Sequence, residues 1–317
     1  MKYYIGIDLG GTNIVTGIVD ENHQIVTKYS TKSDGSRSFE EIVRSIADSV
    51  FAVMEKGKMQ MAQIESVGMG TPSCINPHTG LLVHANCFDW HNVPLYDELK
   101  KYIEKPLFIR NDADCAALGE TLAGAARAYN HAIMLTLGTG VGGGVIIDNK
   151  IFNGCDHMGA ELGHTKLVYN GIQCTCGQYG CLESYASATA LINQTREMIK
   201  MHPESQMNTL VDGDLLKVNG KIPFDAAALG DKWAVSVIDQ YIDYLAAGIS
   251  TLIVIFRPEV IILGGGISEQ DEILLVPLNE KIKKHTFGAK EIGVPPAIKA
   301  RLGNDAGVIG AAMLGSI

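Results

Sequence analysis

Apolar and polar positions alternate through the first thirty residues in a pattern that predicts a β-hairpin. Two β-rich runs, 5–9 and 14–19, flank Gly10-Gly11-Thr12, and Asp20-Glu21-Asn22 makes the next turn. The period then changes. Phe39, Ile42, Val43, Ile46, Val50, Val53 and Met54 recur at helical spacing over 38–56, and Ser38 with Glu41 forms a capping box that starts this helix. A strand over 67–70, a helix over 94–102 and a strand over 107–109 follow, the last running into Arg110-Asn111-Asp112 and a helix start at 113–117. From residue 132 the opening pattern returns: strand 132–137, a Gly138-Thr139-Gly140 turn, strand 144–147 and an Asp148-Asn149-Lys150 turn. A strand, Gly/Thr turn, strand, Asp turn unit thus occurs twice, which predicts a duplicated α/β architecture with mixed sheets. The last third reads as helices over 184–201, 232–256 and 305–314 around a buried strand, 260–263, that runs into Gly264-Gly265-Gly266. No long linker separates the halves, and the hinge candidate is 112–119.

Composition narrows the class. The 317 residues are 46% hydrophobic and 19% charged, which fits about two folded domains and excludes a disordered chain. The net charge of −9 carries no basic stretch, so a grip on nucleic acid is not expected. The longest apolar stretch, 245–256, falls short of the roughly 20 residues that span a bilayer. A strand begins almost at residue 1 and leaves no room for a signal peptide. A cytoplasmic globular protein with no membrane partner is the expectation.

Glycine, 35 residues, is in excess, and three clusters each follow an apolar strand: Gly10-Gly11-Thr12, 138–144 and Gly264-Gly265-Gly266. Glycine lets backbone N–H groups approach an anion closely and adopt positive φ, while Thr12 and Thr139 add hydroxyl donors, so the three turns predict a phosphate cradle. The run from Gly138 formally matches G-x-G-x-x-G, but a strand follows where the dinucleotide motif needs a helix. A P-loop is excluded too, since no G-K-[ST] follows any cluster. Asp8, just before the first cluster, is placed to hold Mg²⁺.

Seven cysteines do not pair into a disulfide framework. Instead His164, Cys174, Cys176 and Cys181 fall within 18 residues, with Gly177 and Gly180 between the last two cysteines. Three thiolates and one imidazole complete a tetrahedral Zn²⁺ site with no open position, a structural rather than catalytic centre. Cys74, Cys87, Cys115 and Cys155 read as small buried residues.

Asn111 and Asp112 lie at the C-terminal end of a strand, where α/β folds bind ligands. Glu161 precedes His164 by three residues and Glu183 follows Cys181 by two, so the zinc segment would hold both carboxylates in place. His164 can bind zinc through one nitrogen and a ligand through the other. Asn86 lies in a loop flanked by Phe88 and Trp90 that could close over a pocket. Such sets of carboxylates and amides bind uncharged polyols.

Together these residues resemble the ROK family of the actin–hexokinase ATPase superfamily over nearly the whole chain. The resemblance rests on Asp8-Leu-Gly-Gly-Thr12, Asn111-Asp112, Leu137-Gly-Thr-Gly-Val-Gly-Gly-Gly144, Gly159-Ala-Glu-Leu-Gly-His164, Cys174-Thr-Cys-Gly-Gln-Tyr-Gly-Cys-Leu-Glu183, Ile262-Leu-Gly-Gly-Gly266 and Leu302-Gly-Asn-Asp-Ala-Gly307. The last is similar to the glucokinase branch. The family implies a two-lobed fold of ribonuclease H-like halves with an interlobe cleft, one lobe being 1–112 plus 302–317 and the other 113–301. It also implies an ATP-dependent hexokinase that phosphorylates the 6-hydroxyl of glucose, with Asp112 as general base. Asn86, Asn111, Glu161, His164 and Glu183 would bind the sugar. Asp8, Gly10, Gly11, Thr12, Gly138, Thr139 and Gly140 would hold MgATP phosphates, and Gly264, Gly265 and Gly266 would lie beside the nucleoside. A homodimer or homotetramer is implied as well. Ser73 stands where the family often has glycine, and Cys87 where leucine is common. Mannose, N-acetylmannosamine and N-acetylglucosamine are the alternative acceptors. A non-catalytic sugar-sensing regulator is a further alternative, against which Asp8, Asp112 and the acidic charge argue; such regulators carry an N-terminal DNA-binding module for which the chain has no room.

Overall fold

The computed structural model describes residues 1–73 and 75–316; Cys74, expected as a buried bystander, lies outside them, as does the side chain of Asn86. The chain opens as an antiparallel meander of β1 (Tyr3–Leu9), β2 (Asn13–Asp20) and β3 (Ile25–Lys32), with Ile5 opposite Ile18 and Ile14 opposite Thr31. The hairpin is as expected. The added strand β3 alternates half-buried and exposed positions, as an edge strand does.

Helix α1 (Phe39–Gly57) starts on the expected capping box: the Glu41 amide donates to Ser38 Oγ at 3.3 Å, and the Ser38 amide to Glu41 Oε2 at 2.9 Å. Then come β4 (Ile64–Thr71), the small hairpin β5 (Leu82–Ala85) and β6 (Trp90–Val93), α2 (Leu95–Lys100), β7 (Leu107–Asn111) and α3 (Asp112–Ala123). The first sheet has the order β3-β2-β1-β4-β7, with β1, β4 and β7 parallel.

The second pass runs through β8 (Ala132–Leu137), β9 (Val141–Ile147) and β10 (Lys150–Ile151). Helices α4 (Glu183–Ala186), α5 (Ala188–Met201), α6 (Gln206–Leu210), α7 (Ile222–Ala228) and α8 (Lys232–Phe256) follow, then β11 (Val260–Gly264), α9 (Glu272–His285), α10 (Ala289–Ile292), β12 (Ala297–Lys299) and α11 (Asp305–Met313). The second sheet, β10-β9-β8-β11-β12, repeats the order of the first position by position, so the duplication read from the two Gly/Thr turns is real. The helix expected over 184–201 is two helices. Ser187 breaks it, adopting an extended conformation and capping α5 by accepting from the Ala190 amide at 3.0 Å.

Contacts divide the chain into two compact units. The first comprises Met1–Met134, Gly144–Ala160 and Arg301–Ile317, the second Leu135–Gly143 and Glu161–Ala300. The division differs from the expected lobes. Residues 112–119, read as a hinge, are the body of α3, and α3 joins the first unit because α11 packs along it.

Within the first unit, Ile5, Ile7, Ile14, Ile18, Ile42 and Ile46 fill the core between the sheet and α1. On the other face Tyr4 and Val19 meet Val308, Ile309 and Ala312 of α11. That approach is close: a Cβ on Gly68 would lie 1.7 Å from the Ala311 carbonyl oxygen. Part of the glycine excess therefore serves helix-on-sheet packing, not the strand-end turns.

Within the second unit, α8 is the one helix among the described residues long and apolar enough to cross a membrane. Its buried stripe, including Val237, Tyr241 and Leu245, packs against α5, α7 and α9, as in a core helix. The fully buried Tyr241 hydroxyl donates to the Ala186 carbonyl at 2.7 Å.

Candidate active site

In the first unit the end of β1 delivers Asp8, half-buried, against the first turn of α11. A Cβ on Gly307 would stand 3.0 Å from Asp8 Oδ2, so glycine there admits the carboxylate. Burial pushes Asp8 up to about 6, because the charged form loses hydration. The Gly10–Thr12 turn is closed by the Gly10 amide donating to Asn13 O at 2.9 Å, while Gly11 and Thr12 are exposed.

Strand β7 ends at Asn111, which caps α3. The Ala113 amide donates to Asn111 Oδ1 and to Asp112 Oδ1, both at 2.8 Å. Asp112 is thus oriented by the positive end of α3, which stabilises negative charge there. The Asn111 amide nitrogen is left for a ligand.

The segment carrying Asn86 is a single 3-10 turn, Asn86–Phe88. Its flanking aromatics belong to the core: Phe88 and Trp90 are buried and stack at 4.6 Å, and Phe39 of α1 meets Trp90 edge-on at 5.1 Å. They anchor the loop. Cys87 and Cys155 are exposed, contrary to expectation, whereas Cys115 is buried. Cys87 lies beside the Gly10–Thr12 turn, 3.0 Å from where a Gly11 Cβ would lie.

In the second unit the Gly138–Gly140 turn is pinned from α5. The Ala188 amide donates to Gly138 O at 2.8 Å and Thr189 Oγ1 to Thr139 O at 2.7 Å. Above Gly138 and Gly266 there is open space, while Gly140 faces Glu183 Oε2, 2.2 Å from where its Cβ would be. Positive φ is rarer here than the sequence suggests: in the three clusters only Gly265 has it, at 82°.

Glu183 opens α4 and is held by both oxygens. Oε2 accepts from the Val141 amide at 3.0 Å and Oε1 from Thr175 Oγ1 at 3.0 Å. Glu161 precedes the 3-10 turn Leu162–His164. Loss of hydration lifts its carboxyl above the ordinary value, His164 opposes this, and Glu183 adds to it.

The expected ligand set converges. The donor atoms of His164, Cys174, Cys176 and Cys181 all lie within 4.8 Å of one another. Cys174 Sγ is 3.7 Å from His164 Nδ1, and the Cys176 and Cys181 sulfurs are 3.8 Å apart. A tetrahedron with Zn–S bonds of about 2.3 Å has S–S edges of roughly 3.8 Å, so these residues fit zinc. Nδ1 faces the sulfurs, which leaves Nε2 for a ligand. The knuckle needs its glycines: Gly177 and Gly180 have φ of 84° and 75°, and a Cβ on Gly180 would lie 1.6 Å from Val168 O.

The ROK family model matches residues 4–316. The chain belongs to the ROK family. A glucokinase of Thermotoga maritima is 40% identical over 98% of this chain and 96% of its own length, and a glucokinase of Halalkalibacterium halodurans is 36% identical over 99% and 94%. The crystal structure of a ROK family glucokinase from Streptomyces griseus in complex with glucose and AMPPNP superposes with a TM-score of 0.83, at 33% identity, covering 98% of each chain. This ROK chain therefore has the two-lobed, hexokinase-like ATPase fold that its sequence resembles.

Two supporting residues escaped the sequence reading. Gly307 was visible only as part of a motif, and Glu120, fully buried in α3, carried no signal beyond its charge.

Proposed function

We propose that this protein is a glucokinase, transferring the γ-phosphoryl group of MgATP to the 6-hydroxyl of glucose to give glucose 6-phosphate and ADP. The observation that carries the reading is the fixed Glu183–His164 acceptor set beside the four-donor knuckle, in a chain 40% identical to a glucokinase.

Asp112 accepts the 6-hydroxyl proton as that oxygen bonds to the γ-phosphorus and the bridging oxygen departs with ADP. A positioned base of this kind contributes ~10²–10⁴-fold. Glu161, Glu183 and His164 Nε2 hold sugar hydroxyls, with Asn86 and Asn111, so that the nucleophile is aligned before transfer. Asp8, Gly10–Thr12 and Gly138–Gly140 hold the phosphates of MgATP, and Gly264–Gly266 lie beside the nucleoside. The magnesium of MgATP supplies neutralisation of phosphate charge. Zinc on His164, Cys174, Cys176 and Cys181 has a structural role, keeping Glu183 and His164 in place. The protein works in the cytoplasm as a soluble homodimer or homotetramer, without nucleic-acid or membrane partners.

A coupled ADP-release assay across aldohexoses and N-acetylated hexosamines tests the reading. Glucose is expected to give the highest kcat/KM. Higher values for mannose or N-acetylglucosamine would reassign the acceptor, and ADP release at background with every sugar would remove the kinase.

A further inference from the structure

We propose that the first unit carries a second ligand site, for a phosphate-bearing small molecule, in the cavity lined by Phe108, Arg110, Lys150, Asn153, His157 and Leu314. The cavity encloses about 320 Å³, within the roughly 300–1,000 Å³ of small-molecule sites. None of its residues belongs to the glucose or MgATP sets above, so the proposal stands whether or not the glucokinase reading does.

Its charge is the opposite of the chain's. In a protein of net charge −9, the lining has a guanidinium, an ammonium and an imidazole, and no carboxylate. Arg110 and Phe108 are two residues apart on β7 and so share a face of the first sheet, while Lys150 comes from β10, the edge strand of the second sheet. One Arg110 nitrogen donates to the Ile109 carbonyl at 2.9 Å, which fixes the fork and leaves further N–H groups for an acceptor.

His157 is oriented by a relay. Asn153 Nδ2 donates to Oδ2 of the buried Asp114 at 3.2 Å, so Asn153 Oδ1 is the acceptor facing His157 Nδ1, 3.1 Å away. Nδ1 therefore carries the proton and Nε2 remains for a ligand. Burial, and then the charge of Arg110, hold the His157 imidazole below its ordinary proton affinity, with Asp156 acting the other way. A phosphate group takes a fork of N–H donors plus a point charge, which Arg110 and Lys150 supply.

The test is calorimetric titration of the intact protein with inorganic phosphate and, separately, glucose 6-phosphate. Glucose and a non-hydrolysable ATP analogue are held at saturation. Wild type is expected to bind one equivalent, and Arg110→Ala and Lys150→Ala each to weaken binding by roughly tenfold or more. Tighter binding of glucose 6-phosphate identifies a phosphate monoester as the ligand; equal binding identifies free phosphate. The exposed Lys150 gives a variant that spares the fold should Arg110→Ala not fold. Absence of binding to wild type overturns the proposal, as does affinity unchanged in both variants. Dependence on Arg110 and Lys150, rather than occupancy of the glycine turns, decides the outcome.

Discussion

Glu120 holds α3 in place, and removing it gives the sharpest stability prediction. Oε1 of this fully buried carboxylate accepts the amides of Arg301 and Leu302 at 2.9 and 2.7 Å, and Oε2 accepts that of Ala125 at 2.7 Å. It thereby ties the C-terminal end of α3, the helix that Asp112 begins, to the segment leading into α11. Hydrogen bonds to a charged group contribute about 1.5–3 kcal/mol each, and a buried donor left unpaired costs about 1–3 kcal/mol. Glu120→Ala strands three amides and, at about 1–3 kcal/mol for each, should cost about 3–9 kcal/mol. Glu120→Gln keeps the two bonds to one oxygen but turns an NH₂ toward the Ala125 amide, and should cost about 1–3 kcal/mol. Each is large against the roughly 5–15 kcal/mol of a folded domain. The assay is urea unfolding followed by tryptophan fluorescence in a Trp233→Phe background, so that Trp90 reports on the first unit alone. Both variants within about 0.5 kcal/mol of the parent, or Gln more damaging than Ala, would refute the reasoning.

Asp8 should show opposed effects on stability and function. Its proton affinity is raised by burial to about 6 from 3.8, so the stability it contributes is present below the unfolded value and lost as pH rises through 6. Asp8→Asn should therefore stabilise the ligand-free protein by about 1–3 kcal/mol at pH 8 and leave it nearly unchanged at pH 4, while weakening use of MgATP; a melting temperature at pH 8 no higher than wild type contradicts this. Gly140→Ala should push the Glu183 carboxylate from its seat, 2.2 Å from the new Cβ, raising KM for glucose roughly 10–100-fold with less effect on kcat. Equal KM values would show that Glu183 does not hold the sugar. Elemental analysis should find one zinc per chain, and less in Cys176→Ser; a content far below one removes the zinc assignment.

Much of this was legible because the deciding interactions are local in sequence. The Ser38–Glu41 box, the alternation of β1 and β2 and the Cys-x-Cys-x₄-Cys spacing each lie within a short stretch of chain, and each took the expected form. What escaped depends mostly on contacts distant in sequence, one local side-chain competition being the exception. Ser187 breaks a helix that periodicity alone carries through, because its hydroxyl competes for the backbone. Phe88 and Trp90 read only as flanks of a loop that could close over a pocket, and it takes the stacking of Phe88 on Trp90 and of Trp90 against Phe39 to show that they are core. Glycines were assigned to phosphate turns by motif, whereas Gly68 answers to the Ala311 carbonyl 243 positions away. Glu120 and the Arg110–His157 cavity could not be found from spacing, since partners such as Arg301 for Glu120 and Lys150 for Arg110 lie far off along the chain.

The central claim is that Asp112 is the base of a glucokinase, and kcat of Asp112→Asn with saturating glucose and MgATP tests it most directly. Asparagine keeps the oxygen that meets the Ala113 amide, so glucose binding and melting temperature should hold. Wild type should release one ADP per glucose 6-phosphate formed, and the variant's kcat should fall ~10²–10⁴-fold. A variant that turns over within tenfold of wild type would contradict the account.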